Sequence, residues 1–312
     1  MNIEKILVNV EAEADHQYLL EKTLRLAEAS GARVELFRCC YNASLRNSYL
    51  FDKEGLLRAE HRFMNQAETE LEVLAEQLEA EGVDVDFDVC WDRHHADSLV
   101  RKVLRYQPDI MVHQIEKHSR LGHFLFAQSD WQLIRECPVP LMLVKEHSWS
   151  DGGHVAATVD PFHECDSPAV LDSHILNWSA AMAQQLEGEM RVMHCFNVLP
   201  HSAIFDEHVV ADFENMQVKV RREHIRALDT LLEPYGLNTD SSRVNLLEGP
   251  PHRKMLEYVE DHHVDLLVMG AVARGVFDRL MVGSTIERIL DSIHCDIMVV
   301  KGPDFECHVS ES

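Results

Sequence analysis

The chain has 312 residues and carries 29 Lys and Arg against 53 Asp and Glu, a formal charge of −24. With 46% hydrophobic and 26% charged residues it has the composition of a folded globular protein rather than a disordered or fibrous one, and its length suits two domains of about 150 residues each. The negative charge argues against nucleic acid and anionic lipid as partners, and the longest apolar stretches, Leu266 to Ala273 and Val139 to Val144, are far shorter than the ~20 residues of a membrane helix.

The opening MNIEKILVNVEAE is acidic where an export signal would carry a basic end and an apolar segment, so a cytoplasmic location is expected. Within it, Lys5 to Glu11 is the first predicted strand, and Val34 to Cys39 is the second. A long charged helix follows over Glu54 to Leu78, with Leu71, Leu74 and Leu78 at spacings of three and four. That spacing predicts one stripe packed on a sheet; a partner-binding helix is the alternative. Further strands are expected at Pro108 to Val112 and Leu141 to Val144. The polar segment Glu146 to Gly153 reads as a linker, dividing the chain into domains at 1–147 and 153–306.

Beyond the linker the pattern starts again. Pro140-Leu-Met-Leu-Val-Lys145 matches Asp296-Ile-Met-Val-Val-Lys301 at an offset of 156, and the same offset carries Pro108 to Val112 onto Val264 to Val268 and Val34 to Cys39 onto Met190 to Cys195. The first strand, Lys5 to Glu11, meets His154 to Asp160 at 149 instead, an indel of seven residues. In the second unit, strands are predicted at 155–159, 191–198, 243–247, 265–269 and 296–300, with helices at 172–187, 206–235, 253–262 and 284–292. Short Val-, Ile- and Leu-rich runs alternating with amphipathic helices predict an α/β chain of two tandem, doubly wound, five-stranded parallel sheets. The near-identical fifth strands predict that the units pack as an intramolecular pseudo-dimer, burying either their final strands or opposing helices against each other, with edge strands mutually covered.

The segment from Met269 to Arg288 leaves the fourth strand of the second unit and returns into its fourth helix. Gly283-Ser284-Thr285 then sits at a helix start, where free N–H groups and the dipole favour an anion such as phosphate. The alternative is an ordinary N-cap at Ser284 with Glu287 completing a capping box. This segment, read as Gly270-x2-Ala273-x9-Gly283-Ser284-Thr285, resembles the G-x2-G-x9-G-(S/T) phosphate loop of the universal stress proteins, and the likeness runs through both halves, as in the tandem members of that family. Ala273 replaces the second glycine, and its Cβ narrows the approach to phosphate.

The resemblance implies an adenine nucleotide-α-hydrolase-like fold with strand order 3-2-1-4-5 in each unit, and a ligand crevice where that order reverses. It implies ATP or another adenine nucleotide, with Mg as a companion ion: Asp160 toward the nucleoside or metal, Asn197 and Val198 near the base, and Gly270, Ala273, Gly283, Ser284 and Thr285 around the phosphates, with Arg274 as a phosphate partner. Asp160 also reads as a turn residue before Pro161. In the first unit the corresponding loop residues are Gln114, Lys117, Ala127 and Gln128, and Asp160 becomes Glu11, so that unit is expected to bind no nucleotide. Its loop instead gathers Leu121, Phe124, Leu125 and Phe126, for packing or an apolar pocket.

No motif names a reaction: G-x-S-x-G, Walker A, GxGxxG and HExxH are missing from the sequence, and no catalytic or metal-ligating residue is assigned. Eight cysteines, at 39, 40, 90, 137, 165, 195, 295 and 307, form no CxxC pair and are expected to be free thiols; Cys307 reads as an inert tail residue. The adjacent pairs His94-His95 and His262-His263 read as surface histidines. The expectation is a stress-type binding and regulatory protein with a small-molecule ligand, its two units paired as the subunits of family homodimers are, with other proteins and a further homodimer as additional partners. At most it is a weak ATPase. A carrier or sensor of a different, apolar ligand is the alternative.

Overall fold

The computed structural model describes residues 2–12, 14–49, 51–115, 127–162, 168–197, 210–271 and 284–310. The first unit runs β1 (Lys5–Asn9), α1 (Gln17–Ser30), β2 (Arg33–Cys40), α2 (Ala43–Ser48), α3 (Lys53–Ala80), β3 (Val85–Trp91), α4 (His95–Tyr106), β4 (Ile110–Gln114), α5 (Gln128–Glu136) and β5 (Leu141–Val144). The second repeats it as β6 (His154–Thr158), α6 (Pro168–Gln185), β7 (Glu189–Phe196), α7 (Val210–Leu232), β8 (Val244–Glu248), α8 (Pro251–Asp261), β9 (Leu266–Gly270), α9 (Ser284–Ile289) and β10 (Asp296–Val300). The expected start of the helix at 206 lies outside the described residues. Helix α3 begins where Asp52 Oδ1 accepts the Gly55 N–H at 2.8 Å, and Leu71 and Leu78 are buried in the core with Leu74 packed against it. The leucine stripe is therefore a sheet-packing face.

Both units have the expected strand order, and they share one sheet. Its order is β3-β2-β1-β4-β5-β10-β9-β6-β7-β8. Every pairing is parallel except β5 with β10, which is antiparallel. There Met142 lies opposite Met298, flanked by Leu143 opposite Ile297 and Leu141 opposite Val299. Met298 is the repeat mate of Met142 at the offset of 156, so an internal two-fold passes between them and each strand meets its own copy, as in an isologous dimer. The pseudo-dimer is thus made by fifth strands, and β3 and β8 are the remaining edges.

Pseudo-symmetry extends to details of backbone and caps. Gln107 and His263 are mates and have φ 55° and 47°; Gly31 and Glu187 are mates and have φ 70° and 52°. A left-handed residue ends the helix at each place, releasing the chain into the next strand. Asp109 accepts the N–H groups of Glu4 and Lys5 at 2.7 and 2.9 Å, and its mate Asp265 accepts that of His154 at 2.7 Å. Lys145 Nζ crosses the seam to the carbonyls of Leu290 and Ile293, while its mate Lys301 crosses in the other direction to the carbonyl of Cys137, mate of Ile293. Each ammonium thereby caps the last turn of the other unit's final helix. Burial holds both lysines well below the ordinary range, at about 8.

The linker is fixed by buried contacts. Trp149 is buried, and its Nε1–H donates to Asp296 Oδ2 at 2.8 Å. Asp296 also receives Lys22 Nζ at 2.7 Å and the Lys145 N–H at 2.8 Å, and both side chains of the Lys22–Asp296 pair are fully buried. Helix α1, the linker and β10 are pinned together at that carboxylate. The C-terminal segment likewise lies on the first unit: the His308 N–H donates to Glu136 at 3.1 Å and Cys307 is half-buried.

Candidate ligand site

In an open parallel sheet a crevice forms where strand order reverses, because the connections from neighbouring strands leave in opposite directions. In the second unit that point lies between the carboxyl ends of β6 and β9. Asp160 follows β6. Its N–H donates to the buried Asp172 Oδ1 at 3.1 Å, and its own Oδ1 accepts the Phe162 N–H at 3.2 Å. The turn expected before Pro161 is present, and it holds the Asp160 carboxylate, half-buried, at the crevice.

Gly270 ends β9 across from it. A Cβ at Gly270 would stand 2.8 Å from Leu171 Cδ2 and 3.1 Å from Ile175 Cδ1. The missing side chain therefore lets α6 seat on β9, a packing role the phosphate-loop reading did not anticipate. Gly270→Ala is expected to lower stability by about 1–3 kcal/mol, the usual cost of overpacking a core, as measured by urea unfolding without any ligand; an unchanged midpoint would contradict the packing role.

Thr285 is half-buried in the first turn of α9, and Ser284 is the first residue of that helix. Asn197 is exposed just after β7. Val198, Ala273, Arg274 and Gly283 lie outside the described residues, as do the Glu287 side chain of the proposed capping box and Leu121, Phe124, Leu125 and Phe126 of the first unit.

Beside Asp160 is an aromatic cluster that the sequence did not single out. Buried His194 on β7 has Nδ1 3.0 Å from the Val159 carbonyl and Nε2 2.8 Å from His224 Nδ1 on α7. A carbonyl only accepts, so His194 carries its proton on Nδ1 and accepts from His224 Nδ1–H. The His224 ring lies 4.4 Å from Phe162 and 4.9 Å from Phe196. Burial lowers the His224 pKa, with the nearby Asp160 carboxylate opposing. A cleft of about 380 Å³ opens here, lined by Phe162, Met216, Lys219, Val220, Glu223 and His224.

The first unit fills its own switch point. Asn9 Nδ2–H donates to Glu11 Oε1 and to His113 Nδ1, both at 2.8 Å. His113 Nε2 is 3.1 Å from Asp130 Oδ1, and Asp130 Oδ2 accepts the Ala127 N–H at 2.7 Å. Because Asn9 donates to Nδ1, the His113 proton is on Nε2, directed at the carboxylate. His95 Nε2 reaches Glu11 at 3.4 Å, and Gln114, in the place of Gly270, donates to the Asp15 carbonyl at 2.7 Å. At the repeat offsets Asn9, His113 and Asp130 become Thr158, Met269 and Ile286. Thr158 donates back to the Val268 carbonyl at 3.3 Å, and Met269 and Ile286 are buried apolar residues. The second crevice has no counterpart of this chain of side chains among those positions.

The model of the universal stress protein family matches residues 2–145 and 170–301. The chain belongs to the universal stress protein family. It carries two such units, and it is similar along its whole length to universal stress protein E of Photorhabdus laumondii subsp. laumondii, at 23% identity over 312 residues covering 99% of this chain and 98% of that one. Universal stress protein E of Escherichia coli K12 is likewise 23% identical, over 98% and 96% of the two chains. Among solved structures, a functionally unknown protein of Pseudomonas aeruginosa PAO1 superposes with a TM-score of 0.75 at 18% identity, covering 97% of this chain and 94% of that one. A universal stress protein of Archaeoglobus fulgidus does so with 0.66 at 16% identity, covering 98% of both. These superpositions concern the fold, and they agree with the tandem, shared-sheet arrangement of this universal stress protein. No helix among the described residues is long and apolar enough to cross a membrane.

Proposed function

We propose that this tandem universal stress protein is a binding and regulatory protein that takes one adenine nucleotide, ATP or a close relative with its Mg ion, at the switch point of the second unit. The observation that carries the reading is the difference between the two crevices. Asn9, His113 and Asp130 occupy the first in a hydrogen-bonded chain, whereas the second has Asp160 at its rim and apolar Met269 and Ile286 in the places of His113 and Asp130. The Asp160 carboxylate suits ribose hydroxyls, which donate to it. Thr285, in the first turn of α9, suits phosphate oxygens.

The reading assigns no catalytic residue, so the protein holds nucleotide without turning it over efficiently. Calorimetric titration of the full chain with Mg-ATP is expected to give one site per chain, weakened about tenfold or more by Gly283→Val, since the loss of a well-placed phosphate cradle corresponds to at least ~1.4 kcal/mol. Two equivalent sites, or a site indifferent to Gly283→Val, would overturn it.

A second reading rests on the cleft of about 380 Å³ beside Phe162 and His224. Its size and its Phe162, Met216 and Val220 walls suit a small apolar or aromatic ligand, and mass spectrometry of ligand retained by the purified chain separates the two readings.

A further inference from the structure

Two of the seven described cysteines are neighbours in space. Cys39 on β2 and Cys90 on β3 are directly paired in the parallel ladder, so they project from the same face of the sheet. Both are half-buried, whereas Cys40, Cys137 and Cys295 are buried. Cys90 Sγ lies 2.9 Å from the Ser98 hydroxyl on α4, and the Cys39 thiol donates to the Asp92 carbonyl at 3.4 Å. The Cys39 thiol also interacts electrostatically with the Cys90 sulfur. Cys39 and Ser98 together lower the Cys90 thiol against the opposing effects of burial and of the Asp92 and Asp88 carboxylates, and the same coupling raises the thiol of Cys39. Asp92 itself is engaged by Arg101 and by the His94 N–H.

We propose that Cys39 and Cys90 form an oxidisable dithiol, a modification site for hydroperoxides in which Cys90 is the attacking thiolate and Cys39 the resolving thiol. Cys90 sulfur attacks one peroxide oxygen. The O–O bond breaks, the departing oxygen takes a proton and leaves as water (or as an alcohol from an organic hydroperoxide), and Cys90 becomes a sulfenic acid. Cys39 sulfur then displaces the sulfenic hydroxyl, which leaves as water with the Cys39 proton, and the S–S bond forms. The two thiols lose two electrons, and the peroxide bond gains them.

Geometry favours the second step. Adjacent strands are spaced about 4.7–4.9 Å, inside the Cα separation a disulfide tolerates. Moreover β3 is an edge strand, hydrogen-bonded on one side only, so its backbone is less constrained than that of an inner strand when the bond closes. The repeat supplies an internal control. Cys195 is the mate of Cys39, but its β8 partner is Leu247, and burial together with Asp160 pushes its thiol up to about 12.

The test is brief exposure of the full chain to hydrogen peroxide at pH 7, quenching by alkylation, and non-reducing peptide mapping. The expected product is a Cys39–Cys90-linked peptide pair, lighter by two hydrogens and separated by dithiothreitol, with Cys195 unmodified. In Cys39→Ser the sulfenic acid persists at Cys90 and is captured by dimedone, and Ser98→Ala slows Cys90 oxidation about tenfold at pH 7 and less at pH 9, as expected when a hydrogen bond sets the thiolate fraction. If Cys90 in the unaltered chain reacts no faster than Cys195, or is oxidised without ever linking to Cys39, the proposal fails whatever the variants do.

Discussion

Asp296→Ala is expected to lower the unfolding free energy by about 3–5 kcal/mol, the range found when one partner of a buried ion pair is removed. Asp296 and Lys22 are 274 residues apart in sequence and both fully buried, and the carboxylate also accepts from the Lys145 N–H and from Trp149 Nε1. Alanine would leave the Lys22 ammonium with the Lys145 carbonyl in place of a carboxylate, and an indole N–H and a backbone N–H without their acceptor, at the junction of the units. Lys22→Met should cost less, because Asp296 keeps its other donors. Burial lowers the Lys22 pKa and Asp296 raises it, so loss of Asp296 also drives Lys22 toward the neutral form. Urea unfolding checks the order; a loss under about 1 kcal/mol for Asp296→Ala would contradict it.

Met142→Asp is expected to destabilise by about 4 kcal/mol or more, since it places an unpaired carboxylate in the middle of a continuous sheet. Met142 is fully buried on the internal two-fold opposite Met298. Met142→Leu, which nearly conserves volume, should cost under about 1.5 kcal/mol. Comparable unfolding midpoints for the two variants would mean that β5 and β10 do not form a sealed seam.

The repeat was legible because strands buried on both faces tolerate little besides Val, Ile, Leu and Met, so β4, β5, β9 and β10 kept their likeness and their offset. Strand order followed from the family resemblance, and the pairing of the units from the shared apolar character of the fifth strands, which left strand or helix contact open. What escaped notice depends on contacts distant in sequence. Lys22 looks like one more charged residue on an amphipathic helix, and nothing local to it points to Asp296. Trp149 sits in a Ser- and Gly-containing stretch that resembles a tether, but its indole has a carboxylate waiting across the seam. Carrying the offset through Asn9, His113 and Asp130 would have exposed polar residues opposite Thr158, Met269 and Ile286, a visible signal for the self-filled first crevice. In sequence Gly270 stands out only for its phosphate-loop position, and the seating of Leu171 and Ile175 reveals its packing role. Cys39 and Cys90 are 51 residues apart in sequence and become a pair only through the register of β2 with β3.

The central claim is that a symmetric scaffold carries an asymmetric site. Hydrogen exchange of the full chain, followed by mass spectrometry with and without saturating Mg-ATP, tests it most directly, because ligand binding slows opening of the backbone it touches. Slowing is expected in peptides covering residues 158–162, 268–271 and 284–286, with residues 9–15, 110–115 and 127–130 unchanged. Slowing centred on the first unit, equal slowing in both, or none in either would contradict the account.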